Sequence, residues 1–340
     1  MAIEQQLDAA GSPRKGRVIF LLIAVLTLGS PAFAQDHSPR QARLVEAQKA
    51  VDAGRWDEAL RLAQGPADQS PDLDFVAGLA LARMERWSEA RLAFEAGVRK
   101  APNDSRFRVE LAGIAYKQKD FRTAKDNLHA ALRLNPQDAY SREFLATIYF
   151  LEGNLEAALQ FWNPEDKPRL RSVAFAPSLR LRESLRNRAL AFNAPQVLTN
   201  NALLATQSRL ENLGVFSNRR IELNPAESGN YDLTLHLAET NGWGDSKVEG
   251  IVSLLSGLPY ATIYPEFYNL SRDAVNLTSL ARWDSEKRRI SLALSMPLYG
   301  DPRLRFYADA RNENWNLAQT FRGTGAPLTD LNMRRAAAGV

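Results

Sequence analysis

The chain has 340 residues, of which 45% are apolar and 24% are charged, and it contains no cysteine. This length predicts about two or three domains, and the apolar content is sufficient for buried cores. A chain without cysteine has no disulfides, thiolate metal sites or cysteine nucleophiles. Its net charge of +4 is a small and dispersed excess, so we expect no nucleic-acid partner.

The first 34 residues have the pattern of an export signal. A basic segment at 14–17 precedes an apolar run at 18–28, and small residues follow at Ala32 and Ala34. This order is typical of a secretory signal that is cleaved after Ala34. The apolar run is much shorter than the roughly 20 residues that a membrane-spanning helix needs. The sequence therefore predicts export and removal of residues 1–34.

A period of 34 residues runs through the next segment. Small residues allow two helices to approach closely, and a unit that cannot bury its own apolar face must stack on its neighbours. The pattern therefore predicts a stack of helix pairs. The residues in phase are Gly78, Ala112 and Ala146 at one position, Ala90, Ala124 and Ala158 at a second, and Pro102 and Pro136 at a third.

This pattern resembles the tetratricopeptide repeat (TPR), and the third unit reads ELAGIAYKQKDFRTAKDNLHAALRLNP. The resemblance implies an α-helical solenoid over 40–163. Its units would be about 71–104, 105–138 and 139–163, preceded by a degenerate first unit at 40–70.

The TPR resemblance also implies a concave face that binds partner polypeptides and is lined by the first helix of each unit. One TPR subclass holds a peptide carboxylate with a lysine and an asparagine, but the equivalent positions here carry Phe75/Leu79, Val109/Gly113 and Glu143/Thr147. That subclass is not expected, and a stack that serves only as a spacer is the alternative. The predicted partner-binding residues are Phe75, Leu79, Arg83, Arg106, Tyr116, Lys117, Tyr140 and Phe150, with Val109 and Glu143 beside them.

The sequence pattern of residues 166–244, which follows a proline-containing linker, predicts a small α+β domain. The segments SRLENLGVF and YDLTLHLAETNGWG resemble a polypeptide-transport-associated (POTRA) domain, whose edge strand can pair with the backbone of a partner. Another small α+β module that buries the same leucines is the alternative. The predicted elements are a strand at 171–175, helices at 179–185 and 198–213, and strands at 215–223 and 231–237.

Residues 247–340 predict antiparallel β-strands in which apolar and polar side chains alternate, as at Ile290–Met296. This alternation is typical of strands between lipid and lumen, although a soluble sandwich gives the same pattern. The segment MPLYGDPRLRFYADARNE resembles an early hairpin of an Omp85-class outer-membrane barrel. Closed barrels need at least about eight strands, and only five to six are expected here. The resemblance therefore implies an incomplete barrel, and we expect the chain to be truncated or a fragment of a longer protein.

These resemblances imply a multidomain protein of the periplasm and outer membrane of a Gram-negative-type bacterium. Its TPR and POTRA modules would bind client or partner polypeptides for outer-membrane protein assembly or translocation. The alternative is a periplasmic TPR scaffold of a polysaccharide or protein export apparatus without insertase activity. No catalytic triad or metal-ligand spacing is evident in the sequence, so we expect no enzymatic activity, no metal and no small-molecule cofactor. His129 is expected on a solvated helix face and His236 on an outward strand face.

Overall fold

A computed structural model describes residues 39–64, 70–240, 252, 256–317 and 329–340. The predicted export signal and the NGWG segment after the last α+β strand lie outside these residues. The chain divides into two compact units between Glu165 and Asp166, here called the repeat unit and the sheet unit. The two segments predicted as separate domains, 166–244 and 247–340, therefore belong to one unit.

The described part of the repeat unit is entirely helical, with one pair of helices for each predicted repeat. Consecutive helices pack against each other within and between pairs, which matches the predicted stack. The helices are α1 Pro39–Asp52, α2 Trp56–Ala63, α3 Pro71–Arg83, α4 Trp87–Lys100, α5 Ser105–Lys117, α6 Phe121–Leu134, α7 Ala139–Leu151 and α8 Leu155–Trp162.

Side-chain caps mark where the last four of these helices begin. The side chains of Asp104, Asp120, Asp138 and Asn154 each accept a hydrogen bond from a backbone N–H in the first turn. Such a cap satisfies a donor that has no partner within the helix. The capping residues therefore fix the phase of the third and fourth repeats.

Small residues create the close helix contacts of the stack. A Cβ atom added at Gly78 would lie 2.4 Å from the ring of Phe94, and one added at Gly97 would lie 2.0 Å from the ring of Phe107. Both rings are fully buried. The glycines therefore provide the space that these rings occupy. The alanines in phase with the repeat, Ala90, Ala112, Ala124, Ala146 and Ala158, are also fully buried.

The sheet unit begins with a three-stranded sheet and two helices in the predicted order of strand, helix, helix, strand, strand. The strand order in the sheet is β1-β3-β2, with β1 parallel and β2 antiparallel to β3. Helix α10 ends at Gly214, whose positive φ of 64° closes the helix. The elements are β1 Arg169–Ala176, α9 Glu183–Ala189, α10 Asn200–Leu213, β2 Phe216–Pro225 and β3 Asn230–Glu239.

The helix predicted at 179–185 lies instead at Glu183–Ala189. The backbone N–H of Leu181 donates a hydrogen bond of 3.0 Å to the Glu239 carboxylate, and Arg180 pairs with the same carboxylate at 2.9 Å. This carboxylate at the end of β3 holds Arg180 and Leu181, which lie before the start of the helix. The contact joins residues far apart in sequence, so local helical spacing could not predict it.

The rest of the sheet unit is an antiparallel sheet of six strands. The strand order is β4-β6-β7-β8-β9, and β5 also pairs with β6. Within the described residues this sheet is open and does not close into a barrel. Its strands are β4 Thr262–Ile263, β5 Glu266–Leu270, β6 Val275–Trp283, β7 Lys287–Pro297, β8 Arg305–Trp315 and β9 Leu331–Gly339.

The two faces of this sheet differ in polarity, because paired residues on neighbouring antiparallel strands share a face. On one face Leu277 pairs with Leu294 and Ser279 with Leu292, and Ile290 extends the same row. The side chains of Ile290 and Leu292 are 67% and 47% exposed. The opposite face is mostly polar. It carries Asn276, Thr278, Arg282, Lys287, Arg289, Ser291, Ser295, Tyr307, Asp309, Arg311 and Glu313, together with Leu280, Ala293 and Trp315.

The α+β part and the six-stranded sheet are joined by hydrogen bonds. The buried Asn276 on β6 donates from Nδ2 to the carbonyl of Leu213, 2.8 Å away, at the end of α10. Arg188 donates to the carbonyl of Gly300 at 3.2 Å, on the turn between β7 and β8. These contacts explain why the two segments form one unit. Among the described residues, none of the helices combines the length and the hydropathy of a membrane span.

Candidate partner-binding site

Helices α3, α5 and α7 are the first helices of successive repeats and begin at equivalent positions. We call the side of these helices that carries the predicted binding residues the first-helix face. The structure places all eight predicted binding residues on these three helices. Tyr140 has the most exposed aromatic ring among them, with 57% of its surface accessible. Arg83, Arg106, Lys117 and Tyr140 are exposed, whereas Phe75, Leu79, Tyr116 and Phe150 are half-buried.

Phe75 and Arg106 connect α3 to its neighbours. The Phe75 ring lies 5.4 Å from that of Phe107 and 5.8 Å from that of Phe94, measured between centroids. The Arg106 guanidinium lies 4.9 Å above the Phe75 ring and donates to Asp72 at 2.8 Å. It also pairs with Asp104. The charge of Arg106 is therefore already balanced by the protein's own acidic side chains.

An aromatic row crosses from α5 to α7. The Tyr116 ring contacts Phe144 edge to face at 5.3 Å, and Tyr140 lies 6.1 Å from Phe144. Phe144 was missed in the sequence prediction, although it lies one helical turn after the predicted Tyr140 on α7. Because the row ends in the exposed ring of Tyr140, it offers a partner an apolar contact surface.

Glu110 is a second residue that the sequence prediction missed. Its carboxylate is half-buried on α5, and burial raises its pKa to about 7, although the positive charge of Arg83 acts in the opposite direction. Desolvation and then the charge of Glu110 raise the pKa of Tyr140. Residues of three successive repeats therefore lie close enough to influence one another. Among the described residues, none forms a hydrogen bond or an ion pair with Glu110.

Gly113 leaves an open space on the same face, one helical turn after Glu110. A Cβ atom added at Gly113 would meet no atom within 4 Å, in contrast to Gly78 and Gly97. The equivalent positions of α3 and α7 carry the larger side chains of Leu79 and Thr147. We call this space the Gly113 notch. It was not evident from the sequence, because an unoccupied space depends on what the neighbouring helices place around it.

The last repeat carries a separate aromatic group. Phe150 contacts Trp162 at 5.3 Å, which keeps it half-buried. His129 was expected on a solvated helix face, but it packs against other side chains. Its Nε2 lies 3.1 Å from the Tyr149 hydroxyl, and its ring lies 5.7 Å from that of Phe161. Burial lowers the pKa of His129. His236 lies on an outward face as expected, 3.1 Å from the Glu222 carboxylate.

The described residues of the whole chain include no group of three or more acidic or histidine side chains that could hold a metal ion. The chemistry that the first-helix face offers is non-covalent. It combines exposed aromatic surface, one cation paired to neighbouring acids (Arg106), the exposed cations of Arg83 and Lys117, and one half-buried carboxylate.

Residues 44–105, 75–122 and 109–163 match the tetratricopeptide-repeat family. The N-terminal region of the chain therefore carries TPR repeats, as the 34-residue period predicted. The match ends before the sheet unit begins.

Several solved structures are similar to part of this chain. A crystal structure of MamA shares 12% identity and a TM-score of 0.35, covering 38% of this chain and 77% of that one. YrrB, described as a TPR protein with an unusual peptide-binding site, shares 20% identity and a TM-score of 0.33, covering 38% and 68%. SycD, a type III secretion translocator chaperone of Yersinia enterocolitica, shares 16% identity and a TM-score of 0.29, covering 35% and 88%. No curated protein sequence matches the chain.

Proposed function

We propose that the repeat unit binds partner polypeptides on its first-helix face. The observation that carries this proposal is the aromatic row of Tyr140, Phe144 and Tyr116, which ends in an exposed ring. Aromatic side chains dominate the binding energy of many protein interfaces. Glu110 and Arg83 lie beside the row and add ionic groups that can orient a bound chain.

We also propose that the protein is exported and acts in outer-membrane protein assembly or translocation, with the six-stranded sheet as its membrane portion. This proposal is supported by the polarity of the sheet, which has an exposed apolar row on one face and charged side chains on the other. The order of elements before the sheet, which resembles a POTRA domain, supports it further. In this proposal the repeats receive the client and the sheet contacts lipid.

Photocrosslinking in cells tests the first proposal. A photoreactive phenylalanine in place of Tyr140 should form adducts with polypeptides, because this side chain is exposed on the proposed face. The same amino acid in place of Arg91 serves as a control, since Arg91 is exposed on α4, a second helix. Equal adducts at both positions would contradict binding at this face.

Vesicle partitioning tests the second proposal. Leu292 and Ser291 are adjacent on β7 but lie on opposite faces of the sheet. With vesicles of phosphatidylethanolamine and phosphatidylglycerol, Leu292→Asp should reduce binding of the full chain, because a charge on a lipid-facing side is costly. Ser291→Asp should bind like the unmodified protein. Equal binding by both variants would exclude the apolar row as a membrane contact.

A further inference from the structure

We propose that the sheet unit binds an anionic phospholipid, whose phosphate is held by arginines of α9, α10 and the turn between β7 and β8. This inference deepens the proposed membrane contact of the six-stranded sheet and rests on it. It specifies the class of lipid, the place where its headgroup binds, and the residues that recognise the phosphate, which are Arg188, Arg209 and Arg303.

The three arginines line one cavity, here called the arginine cavity. Arg188 lies on α9, Arg209 on α10 and Arg303 on the turn between β7 and β8. The cavity has a volume of about 350 Å³, and Leu190 and Asp301 complete its lining. Three guanidinium groups and one carboxylate leave an excess of two positive charges. Like charges around one cavity repel one another, so an anion bound between them would stabilise the arrangement.

Hydrogen bonds to neutral groups hold two of these arginines in place. Arg188 donates to the carbonyl of Gly300 at 3.2 Å, and Arg209 donates to the carbonyl of Leu190 at 2.9 Å. These contacts position the guanidinium groups without neutralising their charge. Each guanidinium has five N–H donors in a planar fork, so donors remain for a ligand. Phosphate oxygens match this fork in both geometry and charge.

Asp301 neutralises only one of the three arginines. Its carboxylate accepts hydrogen bonds from Nε of Arg303 at 3.0 Å and from Nη2 of Arg303 at 2.6 Å. These bonds lower the pKa of Asp301 to about 2, and the charge of Arg188 acts in the same direction. The carboxylate is therefore ionised at neutral pH and directed to Arg303. Arg188 and Arg209 carry the excess positive charge of the cavity.

A second cavity, of about 380 Å³, shares Arg188 with the arginine cavity and is partly apolar. Its apolar lining includes Leu185, Val275, Met296 and Pro297. Val275 lies two residues before Leu277 on β6, and Met296 lies two residues after Leu294 on β7. Because alternate residues of a strand share a face, both lie on the face of the exposed apolar row. The two cavities therefore place arginines beside one end of that row.

A phospholipid has the same arrangement of groups, an anionic phosphate at the end of apolar chains. With its chains along the apolar row, its phosphate would meet the arginines. Tyr299 supports this orientation, because its ring is 89% exposed on the turn that carries Arg303 and lines the second cavity. Tyrosine is enriched at the level of lipid headgroups, and basic side chains there attract anionic lipids. A free phosphate ion would match the arginines but not the apolar lining.

Binding of the full chain to vesicles tests the arginines. The protein should prefer vesicles of phosphatidylcholine and phosphatidylglycerol in equal parts over vesicles of phosphatidylcholine alone. Arg188→Gln should reduce this preference by about tenfold, because it removes a charge that bonds the phosphate and keeps a donor for the Gly300 carbonyl. Arg219→Gln is the matched control, since Arg219 is exposed on β2 and lines neither cavity. Equal losses in both variants would show that diffuse surface charge attracts the lipid, and would overturn the inference.

A titration of the full chain separates a lipid from a free anion. Dihexanoyl phosphatidylglycerol, used below its micelle concentration, should bind at least about tenfold more tightly than inorganic phosphate, because its chains bury apolar surface in the second cavity. This comparison uses the unmodified protein, so it does not depend on the folding of a variant. If the two ligands bind equally, the cavity is a site for free phosphate and the assignment to a lipid is wrong.

Leu292→Asp distinguishes failure of the inference from failure of the proposed membrane contact. If Leu292→Asp reduces binding to both kinds of vesicle but Arg188→Gln keeps the preference for phosphatidylglycerol, the inference is wrong and the membrane contact stands. If Leu292→Asp binds both kinds of vesicle like the unmodified protein, the membrane contact is wrong. The inference then fails with it, because the lipid chains would not lie along the apolar row.

Discussion

The repeat unit and the six-stranded sheet handle their apolar side chains in opposite ways. In the repeats Phe94, Phe107 and Leu128 are completely buried. On the sheet Ile290 and Leu292 keep about half or more of their surface accessible. The repeats therefore bury the apolar residues at their helix contacts and expose single apolar side chains such as Tyr140 and Leu92, whereas the sheet exposes neighbouring apolar residues of one row.

The difference has a physical origin in the two kinds of element. Each helix pair covers the apolar face of the next pair. The apolar surface of one repeat is therefore buried by the repeats that precede and follow it in the sequence. A sheet with one apolar face needs a second layer or a membrane against it. Among the described residues, Ile290 and Leu292 have no such covering layer. Mutations in the two regions should therefore have very different costs.

The largest expected effect is in the stack. Leu128→Ala removes a fully buried side chain from α6 and should destabilise the repeat unit by about 2–5 kcal/mol. Urea titration of the full chain, followed by the circular dichroism of its helices, measures this loss. A loss below about 1 kcal/mol would mean that the stack is no better packed than the open sheet.

Glu110 is an exception within the repeats, because its burial is unfavourable when it is charged. Its pKa is raised from 4.5 to about 7 on folding, so wild type loses stability as the pH rises between these values. Glu110→Gln should therefore raise stability at pH 8 by an amount on the order of 1–3 kcal/mol and leave it unchanged near pH 4. Urea titrations at both pH values check this, with Glu156→Gln as the control. A variant that is equally stable or less stable at pH 8 would show that Glu110 is well solvated.

Two helical glycines in the repeat unit differ in the space around them, and alanine substitutions should show this difference. Gly97→Ala should cost about 1–3 kcal/mol, because the new Cβ collides with the buried Phe107 ring. Gly113→Ala should instead stabilise the unit by about 0.5–1 kcal/mol, since the space is open and alanine favours the helix. Thermal melts of both variants measure the contrast. Similar changes at both sites would mean that the notch does not exist.

The smallest expected effect is on the sheet. Leu292→Ala should change the free energy of unfolding by about 0.5 kcal/mol or less, because the side chain is largely exposed. Urea titration of the full chain in detergent and in buffer measures it. A loss as large as that of Leu128→Ala would show that the apolar row is covered within the protein.

The sequence predicted much of the fold, because much of it depends on local spacing. The 34-residue period located the helix pairs, since small residues recur at the contacts between helices. Alternating side chains located the long strands of the sheet, and Gly214 marked the end of α10. The helix at Glu183–Ala189 was misplaced by several residues, because a distant carboxylate, that of Glu239, holds the preceding segment.

By itself, then, the sequence determined the kinds of element, their order and which strand residues share a face. Only the tertiary structure decided which of those residues become a site. The environment of Glu110 depends on Arg83 and Tyr140 in neighbouring repeats, and the Gly113 notch depends on the side chains around it. Periodicity gives the direction of a side chain, but the loss of hydration and the open space arise only when separate helices come together.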